Sequence, residues 1–269
     1  MERQSVITMT CDVLVIGSGA AGLAAAVTAA HYGCKVIVAE KASVFGGTSA
    51  WSGGWLWIPR NPLARAAGID EPPEGLRGYL RSELGNRYGD PRVAAFLDKG
   101  PEMVSFFQDH TEVRWVDGNR VPDFHDTPGA LKGGRSVTAA PYDGRRLGPW
   151  IDKLRPPLDV ASLWGMGLAS GADIGHFFKA TRKPRSGLYA AGRLVRHLRD
   201  LALHRRGMHL VNGNALVARL LRSALDLGVS MMEQAPVKEL LRNGDRVVGA
   251  RLGTDGGDTI VHAARGVVL

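Results

Sequence analysis

The spacing of apolar residues divides the chain into an opening α/β stretch, a helical middle and a closing run of strands. Val13-Leu14-Val15-Ile16 is a continuous apolar run, and residues 35–39 form a second one, the pattern of strands buried on both faces. Between them residues 20–32 are small and stop at Gly33, which predicts a helix with glycine just past its end. Helical periodicity returns over 76–88 and 92–110, and Val113-Arg114-Trp115-Val116 predicts a short strand. Residues 117–150 are rich in Gly, Pro and Asp and are expected to form a long functional loop. A helix is expected over 188–203, with Leu188, Ala191, Leu194, Val195, Leu198 and Ala202 on one side. A clearer one follows over 214–227, capped by Asn214 and ended by Gly228. The period then shortens. Residues 237–241, 246–252 and 259–262 predict strands joined at Asn243-Gly244-Asp245 and Asp255-Gly256-Gly257, and Gly266-Val267-Val268-Leu269 begins another.

Bulk properties add limits. With 269 residues, 45% of them hydrophobic, the chain can bury a substantial core as one large domain or two smaller ones. No apolar run is long enough to span a bilayer. Residues 14–30 are apolar, but their glycines and the preceding Glu2 and Asp12 argue against a signal peptide. Two cysteines, Cys11 and Cys34, make no disulfide framework, so a cytoplasmic location is expected. The net charge of +8 is concentrated in residues 181–206, which hold eight basic residues and the single acid Asp200. A charge confined to one segment argues against a nucleic-acid-binding protein. It leaves three readings for that segment: a solvated basic face, a surface covered by a missing C-terminal half, or peripheral contact with anionic lipid or a partner. His110, His176, His197, His204 and His209 show no metal-ligand spacing, and no metal site is expected.

Two glycine-rich loops carry the chemistry. The first, Gly17-Ser18-Gly19-Ala20-Ala21-Gly22, joins the first strand to the helix. Gly17 permits the tight turn, Gly19 lets backbone approach a pyrophosphate, and Gly22 lets helix pack on strand. The helix start offers N–H donors and the positive end of a dipole to phosphate. Glu40 stands eighteen positions after Gly22, at the end of the second strand, where its carboxylate can accept from ribose hydroxyls. Lys41 follows it. The second loop, Gly46-Gly47-Thr48-Ser49 followed by Ser52-Gly53-Gly54, separates FAD from NAD. A flavin must extend beyond the first βαβ unit, and backbone without side chains lets its ring lie close. Thr48 and Ser49 add hydroxyls for pyrophosphate or ring atoms. A nicotinamide-dependent reductase with an ordinary Gly/Ser loop remains the alternative.

These stretches resemble the fumarate reductase/succinate dehydrogenase flavoprotein superfamily, and residues 52–62 are most similar to its ketosteroid dehydrogenase branch. Residues 133–137, 141–148, 213–229 and 235–252 extend the resemblance over nearly the whole chain. It implies an α/β fold: a GxGxxG-type, Rossmann-like FAD-binding domain with an inserted mixed α/β substrate segment. The expected divisions are residues 1–150 as the first part of the FAD domain, 151–208 as the start of the substrate or capping segment, and 209–269 as the return. It further implies that Val237 touches adenine through its backbone, with Ala235 and Pro236 shaping that wall. Covalent members carry a histidine in the second loop; its absence here implies non-covalent FAD.

The resemblance also implies the reaction: oxidation or reduction of a C–C bond beside a carbonyl, with proton transfer at the α carbon and hydride exchange with flavin. The implied substrate is small, hydrophobic and carbonyl-bearing, steroid-like, or else a dicarboxylate. Trp51, Trp55 and Trp57 are candidates to wall flavin and substrate or simply to pack. Tyr142 is a candidate proton donor or a structural tyrosine. Ketosteroid dehydrogenases place a tyrosine in a Pro-Asp-Tyr context, where this chain has Pro122-Asp123-Phe124 and then His125. His125 is therefore the candidate catalytic residue, against the plainer reading of a solvated loop histidine. Family sequences continue past Leu269 into an Ala-Thr-Gly-Gly segment, so a missing C-terminal half is expected. The isolated chain is then either the front of a dehydrogenase or a fragment that catalyses nothing.

Overall fold

The computed structural model describes residues 7–169, 172–254 and 256–269. The chain forms two compact units, one from Met1–Gly53 and Pro141–Leu269, the other from Gly54–Ala140. The expected divisions at 150 and 208 do not coincide with these boundaries. Residues 141–208 pack in the first unit, and the excursion begins at Gly54, directly after the second glycine loop.

The first unit opens with β1 (Ile7–Ile16), α1 (Ala20–His31) and β2 (Val36–Ala39). The second holds β3 (Trp55–Trp57), α2 (Pro62–Ala66), α3 (Pro73–Leu84), α4 (Pro91–His110), β4 (Trp115–Asp117) and β5 (Ser136–Ala139). The return brings β6 (Tyr142–Asp143), β7 (Ser162–Leu163), β8 (Met166–Gly167), α5 (Ala172–Phe178), α6 (Pro184–His204) and β9 (His209–Leu210). It ends with α7 (Asn212–Asp226), β10 (Ser230–Met232), β11 (Val237–Asn243), β12 (Arg246–Thr254) and β13 (Gly257–Val268).

In the first unit a six-stranded sheet runs β10-β2-β1-β13-β12-β11. β1 lies parallel to β2 and to β13, while β12 is antiparallel to both its neighbours. Leu14, Val15 and all of β2 are buried, as the continuous apolar runs require. On α1, Leu23, Ala26 and Val27 are buried, and burying a leucine or valine side chain is worth about 1.5–3 kcal/mol. Gly33 follows the helix at φ +80°, a left-handed turn that glycine adopts without penalty.

Several expectations shift. The expected strands over 259–262 and 266–269 are one strand, because β13 continues along β1 through a register shift between Ala263 and Gly266. The Asn243-Gly244-Asp245 hairpin forms between β11 and β12, whereas Asp255 of the second expected turn lies outside the described residues. α7 opens at Asn212, so Asn214 sits inside the helix and does not cap it. The expected loop over 117–150 contains β5, β6 and the start of a 3-10 stretch, Gly144–Lys153.

The second unit has a three-stranded antiparallel sheet, β3-β5-β4. Pro73 at the first turn of α3 starts that helix before residue 76, since proline's fixed φ suits an N-terminus. Asp90 accepts from the Arg92 N–H and caps α4. Arg135, 1% exposed, is the hub of this unit: it pairs with Glu71 and, at 2.6 Å, with Asp123, and lies over the rings of Tyr79 and Trp57. Its charge is matched by two buried carboxylates, as burial demands.

Candidate functional site

In the first unit the two glycine loops are bonded to each other. Gly17 has φ +97°, and a Cβ on Gly22 would come 2.1 Å from the Gly17 carbonyl oxygen, so both must be glycine for helix and strand to meet. Gly19 stands at the N-cap of α1 with no side-chain cap, and a Cβ there would meet only Ser49 Oγ, at 3.4 Å. That leaves the helix start open to an anion. The Ala20 N–H donates to Ser49 Oγ at 3.0 Å, and Gly47 would carry its Cβ 3.6 Å from the Gly19 Cα. Ala21 lies in the first turn of α1, and Thr48 and Lys41 are exposed.

Glu40 ties the loops together. Its Oε2 accepts from the Ser18 N–H at 3.0 Å and the Ser18 hydroxyl at 2.6 Å, and its Oε1 accepts from the Ala42 N–H at 3.0 Å. Ser18 Oγ in turn accepts from the Gly46 N–H. Burial is the largest influence on Glu40 and would raise its pKa, but the Ser18 and Ala42 hydrogen bonds and the Arg155 charge together hold it below the ordinary carboxylate value. Glu40 is thus an ionised, 6% exposed anchor between the two glycine loops.

Other elements hold the second loop from behind. Phe45 bridges to Leu154, and Arg155 lies over the Trp51 ring at 4.6 Å. The Gly213 N–H donates to the Ser52 carbonyl, and a Cβ on Gly213 would stand 1.9 Å from the Ser49 carbonyl oxygen. Asn214 donates to the Arg155 carbonyl at 2.7 Å. Gly46 packs so closely on Ala50 and Val217 that a Cβ would approach both within 3.0 Å. Gly213 and Arg155 carried no signal as loop supports, because their contacts span more than fifty residues of chain.

Not every candidate shares this place. Gly53 ends the first unit's opening segment and Gly54 begins the second unit, where its carbonyl accepts from Thr138 Oγ1. Trp51 belongs to the first unit, while Trp55 and Trp57 lie on β3 of the second. Val237 opens β11 opposite Leu252 in the main sheet. Tyr142 is 2% exposed between the guanidinium groups of Arg146 and Arg219, a position inside the core and not in an open loop.

The second unit contains its own cavity of about 560 Å³, walled by Trp55, Trp57, Tyr79, Leu80, Val121 and Phe124. Glu83 and Asp123 also line it, and no arginine or lysine does among the described residues. His125 Nδ1 lies 2.6 Å from Glu83 Oε2, and Thr127 donates to Glu83 Oε1. The Thr127 hydroxyl first, and then His125, hold the Glu83 pKa below its ordinary value. Arg135, behind the wall, is occupied by Glu71 and Asp123.

The family described as an FAD binding domain matches residues 12–269. The chain is a member of that family. Among relatives, the FAD-binding chain is 40% identical over 263 residues to a 4-oxocyclohex-2-ene-1-carboxylate 5-dehydrogenase of Sinomonas cyclohexanicum, covering 97% of itself and 44% of the relative. It is 34% identical over 267 residues to a 3-oxosteroid 1-dehydrogenase of Mycolicibacterium smegmatis, covering 96% and 46%. Its fold superposes with a TM-score of 0.85 on the 3-ketosteroid delta1-dehydrogenase of Sterolibacterium denitrificans, at 30% identity, over 96% of this chain and 47% of that one. The chain therefore spans about half the length of the relatives it matches. The start of α1, where Gly19 offers no side-chain cap, and the paired glycines of the second loop fit FAD.

Proposed function

We infer that this FAD-binding chain serves a dehydrogenase that removes two hydrogens from adjacent ring carbons beside a ketone. The observation that carries the reading is the 40% identity, over 97% of the chain, to a relative named for dehydrogenating a cyclic oxo compound. The steroid dehydrogenase relative is named for the same kind of bond. When bound, FAD supplies the hydride acceptor; the absence of histidine from the second loop favours a dissociable cofactor. The chain's own residues then divide the work. Gly19, Ser49 and the α1 N-terminus receive the pyrophosphate, and Glu40 fixes their geometry and faces the ribose. Lys41, Thr48, Ser52, Gly53, Gly54 and Val237 complete the expected contacts.

The second unit's cavity favours a ring ketone over a dicarboxylate. Its wall is aromatic, and the charged groups lining it are Glu83 and Asp123, which repel a dianion. Where steroid enzymes carry tyrosine, Phe124 has no hydroxyl to offer. His125, held by Glu83, which lines the cavity, takes its place as the group that carries the proton. The test is turnover of the FAD-loaded protein with an artificial electron acceptor, comparing 4-oxocyclohexanecarboxylate, a 3-oxosteroid and succinate. Acceptor reduction with either cyclic ketone, and a drop in kcat with a changed pH profile in His125→Ala, is expected. Turnover of succinate alone, or none by protein whose flavin is reduced by dithionite, would overturn the reading.

A further inference from the structure

Helix α6 is built inside out. Its buried positions are polar: Ser186, Arg193, His197 and Asp200. Arg193 pairs with Asp173 at 2.8 Å, His197 Nε2 lies 2.9 Å from the Trp164 carbonyl, and Asp200 pairs with Arg145 and accepts from the Met208 N–H. The apolar stripe predicted along one side of the helix faces outward. Leu188 is 78% exposed, Val195 67% and Leu198 49%, Ala191 and Ala202 are exposed as well, and Leu194 at the edge is half-buried. The five exposed residues follow a three-and-four spacing, one continuous seam along the helix.

The charge beside the seam has one sign. Arg185, Arg196 and Arg199 are exposed one step around the helix, and Lys183 and Arg205 flank its two ends. The two acids within residues 172–206, Asp173 and Asp200, are 8% and 1% exposed and engaged by arginines. An apolar stripe bordered by unneutralised arginine is the pattern of a helix lying in a membrane interface. A second copy does not suit the seam. Antiparallel, it would set arginine against arginine; parallel, it would set arginine against Gly187, Leu194 and Leu201. No helix among the described residues is long and apolar enough to cross a membrane, so any contact is with the surface.

We propose that the exposed face of α6 seats this protein on an anionic lipid surface, Leu188, Val195 and Leu198 entering the interface and the arginine row meeting headgroups. The test is flotation with vesicles of phosphatidylcholine alone or with about one-third phosphatidylglycerol, at low and high salt. Co-flotation is expected with the anionic vesicles only, weakened by high salt. Arg196→Ser and Arg199→Ser should each weaken it about five-fold, and Val195→Glu should abolish it. Because these residues are exposed, circular dichroism and unfolding midpoints of the variants should match the parent. Absence of binding, binding unchanged in Val195→Glu, or a dimer in sedimentation that Val195→Glu dissociates without vesicle binding by the parent would each overturn the proposal.

Discussion

Gly19 and Gly22 stand three residues apart and do unlike work. A side chain at Gly22 collides with backbone, so Gly22→Ala must push α1 off β1 and should cost the fold about 1–3 kcal/mol, read as a lower unfolding midpoint. A side chain at Gly19 meets little protein but fills the space at the uncapped helix start. Gly19→Val should therefore keep its melting temperature within a few degrees and lose its flavin; normal flavin content in a folded Gly19→Val protein would refute the placement of the pyrophosphate. Glu40 allows a pH test. Its folded pKa is depressed, so its contribution is fully present above the ordinary carboxylate value and is lost as pH falls through the depressed one. In Glu40→Gln the stability of the unliganded protein should fall less steeply with acid than in the parent, and should be lower by about 1–3 kcal/mol at neutral pH. Chemical denaturation across pH measures both. The glycines and Glu40 were legible in sequence because each answers to local spacing, whereas the Ser18 hydroxyl bridge between the loops depends on a contact across 28 positions.

Elements were legible where periodicity and burial agree. β1, α1 and β2 have apolar runs that are in fact buried, and α7, apolar on most sides, is buried along nearly its whole length. α6 shows the limit of that logic. Periodicity located the helix and its apolar side but not which side packs, and nothing local marks Arg193 and Asp200 as interior. What decides the orientation is the presence of partners supplied by other elements: Asp173 on α5, Arg145 before it, and the Met208 N–H. Removing one partner should therefore be costly, since it leaves a charge buried alone. Asp173→Ala strands the Arg193 guanidinium and also removes the acceptor of the Tyr189 hydroxyl. A loss of about 3–5 kcal/mol is expected in denaturant midpoint at constant m-value. A loss below about 1 kcal/mol, the range of an exposed pair, would mean that α6 does not dock through its polar face.

At the scale of the whole chain, the division into two units was the least legible feature, because it is defined by contacts between segments separated by 87 residues. The second unit leaves and rejoins the first through paired strands. Trp55 on β3 lies opposite Thr138 on β5, and Thr138 Oγ1 bonds the Gly54 carbonyl, so the two ends of the excursion are neighbours. Insertions with adjacent ends can be removed without stretching what remains. The first unit keeps its six-stranded sheet, helices α1 and α7, and the loop supports Phe45, Arg155 and Gly213 entirely within its own residues. Replacing 54–140 with a short Gly-Ser linker should then leave a protein that unfolds cooperatively and still quenches FAD fluorescence on titration. Affinity for cyclic ketones should disappear with the aromatic cavity, because Trp55, Trp57, Tyr79 and Phe124 all leave with the excised residues. If the shortened chain folds but no longer takes up FAD, residues beyond Gly53 hold the cofactor and the cradle as described is incomplete. If it keeps ketone affinity, the substrate site lies in the first unit and the assignment of the cavity falls.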